Sequence, residues 1–243
     1  MKKILTFCLV FCVALVSYGQ KTYQLASPNG EIRMNVKVSD KIQYDIFYGE
    51  ESLLEKGTMR MQVGGQVLGK NPKVVKSTTR LVDENIHPVV PFKFSTIRNH
   101  YNQLLLKFSG NWSVEFRAFD DGVAYRFITN KKGDVEVNEE LFQVDFPEDY
   151  QMHIQQSGDF GTNYELFYEH PQYSEWKGKK GVTLLPMLIE AKNGHKILIS
   201  ESSVSDYPHM FLAPADNHGI SSAFPKCPIE FGENGDRSLK LVK

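Results

Sequence analysis

The sequence predicts an all-β protein, an antiparallel sandwich with little helix. Three observations carry that expectation. Apolar and polar residues alternate with a period of two in several segments. No stretch of about a dozen residues holds a helical stripe, and Gly and Pro punctuate the chain roughly every ten positions. Many short strands at such spacing argue for a sandwich.

Taken in order, the chain opens on Met1-Lys2-Lys3, an apolar run from Ile4 to Val16, and Ser17-Tyr18-Gly19 ahead of Gln20. A positive start, a short apolar stretch and small residues at its end read as a signal segment over residues 1–19. The run is shorter than the ~20 apolar residues a membrane-crossing helix needs. Neither Cys8 nor Cys12 follows the small residues in the way a lipoprotein signal wants. The expected product is therefore soluble and exported, with residues 20–243 as one sandwich domain.

Ile32, Met34, Val36 and Val38 alternate with polar residues, and Ile42, Tyr44, Ile46 and Tyr48 repeat the pattern after a turn at Ser39-Asp40-Lys41. Weaker strand signals lie at 58–63 and 73–82. A three-stranded meander is expected over 102–108, 112–119 and 122–129, with turns at Ser109-Gly110-Asn111 and Asp120-Asp121-Gly122. Further strands are expected near 135–146, 182–190 and 196–202. Two regions break the rhythm. Residues 157–180 are polar yet rich in aromatics, among them Tyr164, Tyr168 and Trp176, and a loop of that length is usually functional or covers something. The tail from Asp216 is rich in Gly, Pro and charge and closes on a strand-like run from Ser238 to Lys243.

Composition excludes several classes. The 243 residues hold 28 basic and 29 acidic side chains; without Lys2 and Lys3 the balance is 26 against 29, a net charge of −3. Nucleic acid and anionic membranes both favour a basic face, so neither is an expected partner. With Cys8 and Cys12 in the signal segment, Cys227 stands alone and no internal disulfide can form; a buried, inert thiol is expected.

Candidate chemistry is sparse. Asp120-Asp121 suggests a carboxylate pair, but neighbours on a strand point to opposite faces and glycosidase carboxylates face each other across about 5–9.5 Å. Followed by Gly122, they read as a hairpin turn. No two of the seven histidines have the i, i+2 or i, i+4 spacing that gathers ligands, so a zinc site is not expected. There is no Gly-rich phosphate loop after a strand and no Gly-x-Ser-x-Gly elbow. Glu201 follows the apolar Ile197-Leu198-Ile199, and a strand end is a rigid mount for a carboxylate aimed at a partner or a hard cation. Composition alone favours a solvent-facing glutamate there.

Three pieces of sequence change the weight of that residue. Ser27-Pro28-Asn29-Gly30, the run from Phe116 to Phe127 containing Asp120-Asp121-Gly122, and Leu184-Leu185-Pro186 leading into Ile199-Ser200-Glu201 and Ser205-Asp206-Tyr207-Pro208 resemble, in order and spacing, the N-terminal domain of glycoside hydrolase family 97. The resemblance covers nearly the whole mature chain. It implies a galactose-mutarotase-like β-supersandwich that packs on a (β/α)8 catalytic barrel in enzymes acting on α-glucosides or α-galactosides in the periplasm. It also implies calcium dependence, with Glu201 as the one ligand this domain supplies. The acid, the base and the other calcium ligands belong to the barrel, so the resemblance implies no catalytic residue in this chain and no calcium site without a barrel. Two further readings stand beside it. One is a carbohydrate-binding module that stacks sugar rings on Tyr164, Tyr168 and Trp176. The other is a non-enzymatic protein whose sandwich face docks on another chain.

Overall fold

In the computed structural model the described residues are 19–215, 218–227, 230–233 and 239–241. The expected signal segment lies outside them, apart from Gly19. Strand accounts for 56% of the described residues and helix for 3%, which makes the fold all-β. The chain begins as an antiparallel meander of β1 (Lys21–Ala26), β2 (Ile32–Val38), β3 (Ile42–Tyr48) and β4 (Glu51–Val63), on which β5 (Gln66–Leu68) folds back. A second meander follows: β6 (Val74–Ile86), β7 (Ile97–Phe108), β8 (Trp112–Phe119) and β9 (Gly122–Thr129). Next come β10 (Val137–Asp145), β11 (Gln151–His153), β12 (Gln156–Ser157) and one helical turn, α1 (Tyr173–Trp176). Then follow β13 (Val182–Thr183), β14 (Met187–Glu190), β15 (Lys196–Ile199), β16 (Phe211–Pro214), β17 (Gly219–Ala223), β18 (Phe231–Glu233) and β19 (Leu239–Leu241). The large sheet runs β1-β2-β3-β4-β10-β17-β16-β13-β12; β11-β14-β15 and β18-β19 form separate small sheets.

The core lies between the two meanders. Met34, Val36, Ile42, Tyr44 and Met59 from the large sheet join Leu104, Leu106, Val114 and Phe116 of the second in one cluster, each no more than 2% exposed. Each such side chain contributes about 1.5–3 kcal/mol relative to exposure. This packing follows directly from the alternation in β2, β3 and β8, where every second residue turns inward.

Several sequence expectations shift. The strand expected over 73–82 extends to Ile86, and its partner begins at Ile97. The single strand expected over 182–190 is two strands in different sheets, β13 and β14, separated by Leu184-Leu185-Pro186; Pro186 has no N–H to give a ladder. Residues 200–202 leave the strand that ends at Ile199. Cys227 is exposed rather than buried; it lies past the end of β17, beyond the core-forming strands.

β8 is buried on both sides. Its outward face holds Glu115, 2% exposed, opposite Arg126 of β9. Arg117 Nε and Arg126 Nε each donate to its carboxylate at 2.7 Å. Gln103 Nε2 donates as well, and Arg80 Nε donates to Gln103 Oε1 at 2.7 Å. This row ties all four strands of the second sheet together. Burial pushes the Glu115 pKa up, but the donors from Arg117, Gln103 and Arg126 outweigh it, and the net direction is down. Glu115→Gln is expected to cost about 2 kcal/mol at pH 7, since it strips charge from a buried acceptor of several donors. The wild-type contribution is full at neutral pH and is lost as pH falls through the lowered Glu115 value, so the difference narrows in acid. Urea titrations of both proteins at pH 7 and pH 3 check this.

Candidate functional site

Two of the sheets present unpaired edges to one another. Among the described residues, β9 pairs only with β8, and β15 pairs only with β14. Consecutive residues 120–127 and 195–204 line a cavity of about 860 Å³. Successive residues of a strand point to opposite faces, so an unbroken run along the wall means that the strand edges face this space. Tyr44 and Met61 lie on the large-sheet side, and Glu140, Tyr207 and Glu201 are among the polar lining.

Glu201 sits two residues beyond β15, where the chain turns away and doubles back. Ser203 and Asp206 adopt φ of 57° and 53°, a left-handed conformation that few residues other than Gly take. The return brings Met210 N–H to within 2.9 Å of Glu201 Oε1, and His209 Nδ1 lies 3.3 Å from the same oxygen. The Glu201 side chain is only 22% exposed, less than a bare strand end predicts, because this returning segment covers it. No hydrogen bond engages Oε2 among the described residues.

A second carboxylate stands in the same cleft. Glu139 and Glu140 of β10 alternate across the sheet: Glu139 pairs with the exposed Arg60, while Glu140 is half-buried and accepts from the Tyr207 hydroxyl at 2.5 Å. Burial raises the Glu140 pKa, with the charge of Glu201 adding to the rise and the Tyr207 bond opposing it. The Tyr207–Glu140 bond pins the Glu201 loop to the large sheet. In the sequence Tyr207 carries no evident role and Glu140 does not stand out; the one signal for Glu140 is its inward parity in β10.

The aromatic segment divides. Tyr164, Phe167 and Tyr168 are 44%, 95% and 51% exposed. Tyr164 packs beside His209 and Phe211, with ring centroids 6.5 and 6.1 Å away, at the Glu201 end of the cleft. Trp176 does not share that surface. It is fully buried in α1, its Nε1 donating to Gln156 Oε1 at 2.6 Å, and Asp149 anchors the turn by accepting from Ser174 N–H at 2.8 Å and Ser174 Oγ at 2.6 Å. No stacking platform is available at Trp176 because its ring packs the core.

Asp120 and Asp121 form the two-residue turn between β8 and β9. Asp120 Oδ1 accepts Asn29 N–H at 2.8 Å, which joins Ser27-Pro28-Asn29-Gly30 to the turn. Gly30, at φ 80°, closes that tight turn with a bond of 3.0 Å to Ser27 O. Two stretches far apart in sequence thus meet at one end of the cleft.

Fold and cleft together define an all-β sandwich domain with an open, carboxylate-bearing groove. The chain matches the Glycosyl-hydrolase 97 N-terminal family over residues 25–232, and it belongs to that family. It is 30% identical over 247 residues to the retaining alpha-galactosidase of Bacteroides thetaiotaomicron, a match that covers 96% of this chain and 37% of that protein. A glycoside hydrolase family 97 enzyme from Pseudoalteromonas sp. strain K8, solved in complex with acarbose, superposes with a TM-score of 0.70 at 18% identity, over 83% of this chain and 32% of that one. A beta-arabinopyranosidase crystal structure superposes with a TM-score of 0.73 at 24% identity, over 84% and 35%. Likeness at these identities speaks for the fold alone. The chain spans about a third of the length of these relatives.

The buried setting of Glu140 has a measurable consequence. Its folded pKa lies above the unfolded one, so ionisation penalises the folded state as pH rises through that interval. Glu140→Gln is expected to raise the melting temperature at pH 7 by a few degrees, with the gain gone at pH 3.5, where the wild-type carboxyl is protonated in both states. Calorimetric melts at the two pH values test this.

Proposed function

We propose that the chain serves as the accessory N-terminal domain of a calcium-dependent glycoside hydrolase acting on α-glucosides or α-galactosides. In this reading the domain is exported to the periplasm, packs on a (β/α)8 catalytic barrel and contributes one carboxylate, Glu201, to a calcium site. The observation that carries it is the placement of Glu201: a carboxylate fixed at one oxygen by a main-chain N–H and, among the described residues, left unengaged at the other, beside an open cleft. Family membership and the alpha-galactosidase relative support the substrate class.

Calcium takes six to eight oxygen ligands. Among the described residues no three His, Cys, Asp or Glu side chains converge on one point, so Glu201 fits as one donor to a shared site and not as a site by itself. The chain alone is then a non-catalytic partner. It is expected to hydrolyse aryl α-glucosides and α-galactosides at background rate with or without calcium, and calorimetry should find calcium binding weak or undetectable. Turnover well above a buffer control that is lost on mutating this chain, or tight calcium binding to it, would overturn the reading. In a barrel-bearing relative, the Glu201→Gln equivalent should lower calcium affinity and activity together; if both hold, Glu201 is a surface glutamate.

The exposure of Tyr164 and Tyr168 favours a second reading, sugar stacking beside the cleft. Titration of the chain with an α-linked oligosaccharide should then shift tyrosine ring resonances, and Tyr168→Ala should weaken binding several-fold. An unchanged spectrum at millimolar sugar removes this reading and leaves the first untouched.

A further inference from the structure

Two histidines 17 residues apart in sequence meet beside the three-stranded sheet. His153 closes β11, and residues 169–172 run antiparallel alongside it. Ile154 and Glu169 exchange backbone hydrogen bonds of 3.0 and 2.8 Å, and Met152 N–H donates to Pro171 O at 2.9 Å. Gln151 Nε2 adds a bond to His170 O at 3.3 Å. This bracketing sets His153 across from His170. Their Nδ1 atoms lie 2.7 Å apart, with the rings edge to face and centroids separated by 4.8 Å. On the far side of the first ring, His153 Nε2 lies 3.0 Å from Glu190 Oε1, and Lys196 Nζ holds that carboxylate at 2.5 Å.

The hydrogen-bond partners fix the tautomers. An ionised carboxylate only accepts, so His153 carries its proton on Nε2 and presents a bare lone pair at Nδ1. His170 must then donate from Nδ1. When neither ring is charged, the two imidazoles are joined through a single proton, with a carboxylate behind one of them. A carboxylate behind an imidazole is the arrangement that orients a metal-bound histidine and raises its basicity.

We propose that His153 and His170 form a binding site for a borderline divalent transition ion, zinc being the reference case, with Glu190 orienting His153. The ion takes the place of the shared proton. His170 passes that proton through solvent to its own Nε2, so both Nδ1 lone pairs face the metal and no net proton is lost from the neutral pair. Zinc–nitrogen bonds of about 2.0–2.1 Å in a tetrahedron set the two nitrogens about 3.3 Å apart. A small rotation of the exposed His170 ring supplies that opening. Two imidazoles leave the remaining positions to water, or to a donor on a molecule bound at this surface. Imidazole selects zinc, copper or nickel over calcium, so this site is separate in place and in chemistry from Glu201, and it rests on no part of the functional reading above.

The test is calorimetry of the full chain at pH 7.5, titrated with zinc chloride and, separately, calcium chloride. One equivalent of zinc is expected to bind saturably. His153→Ala and His170→Ala should each weaken it at least tenfold, Glu190→Gln about tenfold as an orienting residue, and His87→Ala not at all. Melting curves confirm that the variants are folded, and cobalt(II) absorption bands that vanish in His170→Ala give an independent reading. Absence of saturable zinc binding to the wild type, or an affinity unchanged in either histidine variant, overturns the proposal.

Discussion

The seating of Tyr44 on Gly57 is the constraint from which much of this architecture follows. The two residues are opposite one another in the β3–β4 register, and a Cβ at position 57 would lie 2.4 Å from the Tyr44 ring. The ring therefore occupies space that any other residue in β4 would fill. Tyr44 is 2% exposed, and its ring reaches Tyr125 of β9 at 6.0 Å between centroids. Tyr125 in turn meets Phe116 and Phe127 at 6.3 Å. One aromatic laid over a glycine thus couples the large sheet to the edge of the second sheet. The edge of β9 is held at the cleft wall by that stack rather than by a further strand.

Two glutamates of the same chain behave oppositely. Glu115 lies within the second sheet, where cross-strand register delivers two arginines and a glutamine to it, and its charge is favoured. Glu140 lies on the large sheet facing the cleft, where among the described residues a tyrosine hydroxyl is its one side-chain donor and another carboxylate stands near, and its charge is disfavoured. Burial alone raises both pKa values; the number and charge of donors decides the sign. The first network is structural glue. The second leaves a polar, acidic wall beside Glu201.

Long alternating strands were legible in the sequence, because seven or eight residues of period two leave little choice of face: β2, β3, β8 and β9 lie where the pattern sets them. Short ones were not. β11, β12, β13 and β16 have two to four residues each, too few for periodicity to speak, and their pairing is decided by the core they cover. Glu201 was visible as a carboxylate after an apolar strand, but its partial burial was not, since that depends on a loop doubling back through two left-handed residues. Trp176 read as a candidate platform because polar neighbours surround it in sequence, and a single turn of helix then folds it inward. The meeting of His153 and His170 had no local signal at all: spacing rules detect ligands on one element, and this pair is made by two segments brought alongside each other.

The geometry of Glu201 also bears on why a domain would contribute a single ligand. A carboxylate free at both oxygens swings with its side chain and must be ordered by the ion it binds, at a cost in conformational entropy. Here Met210 N–H already holds one oxygen, and the Tyr207–Glu140 bond holds the loop that carries it. The ordering is done by folding, ahead of any encounter. A ligand prepared in this way adds affinity to a site assembled at an interface without forming a competent site alone. Under the proposed function, ion binding would then be conditional on the two surfaces being together, and the ion would stabilise their assembly by the same contact.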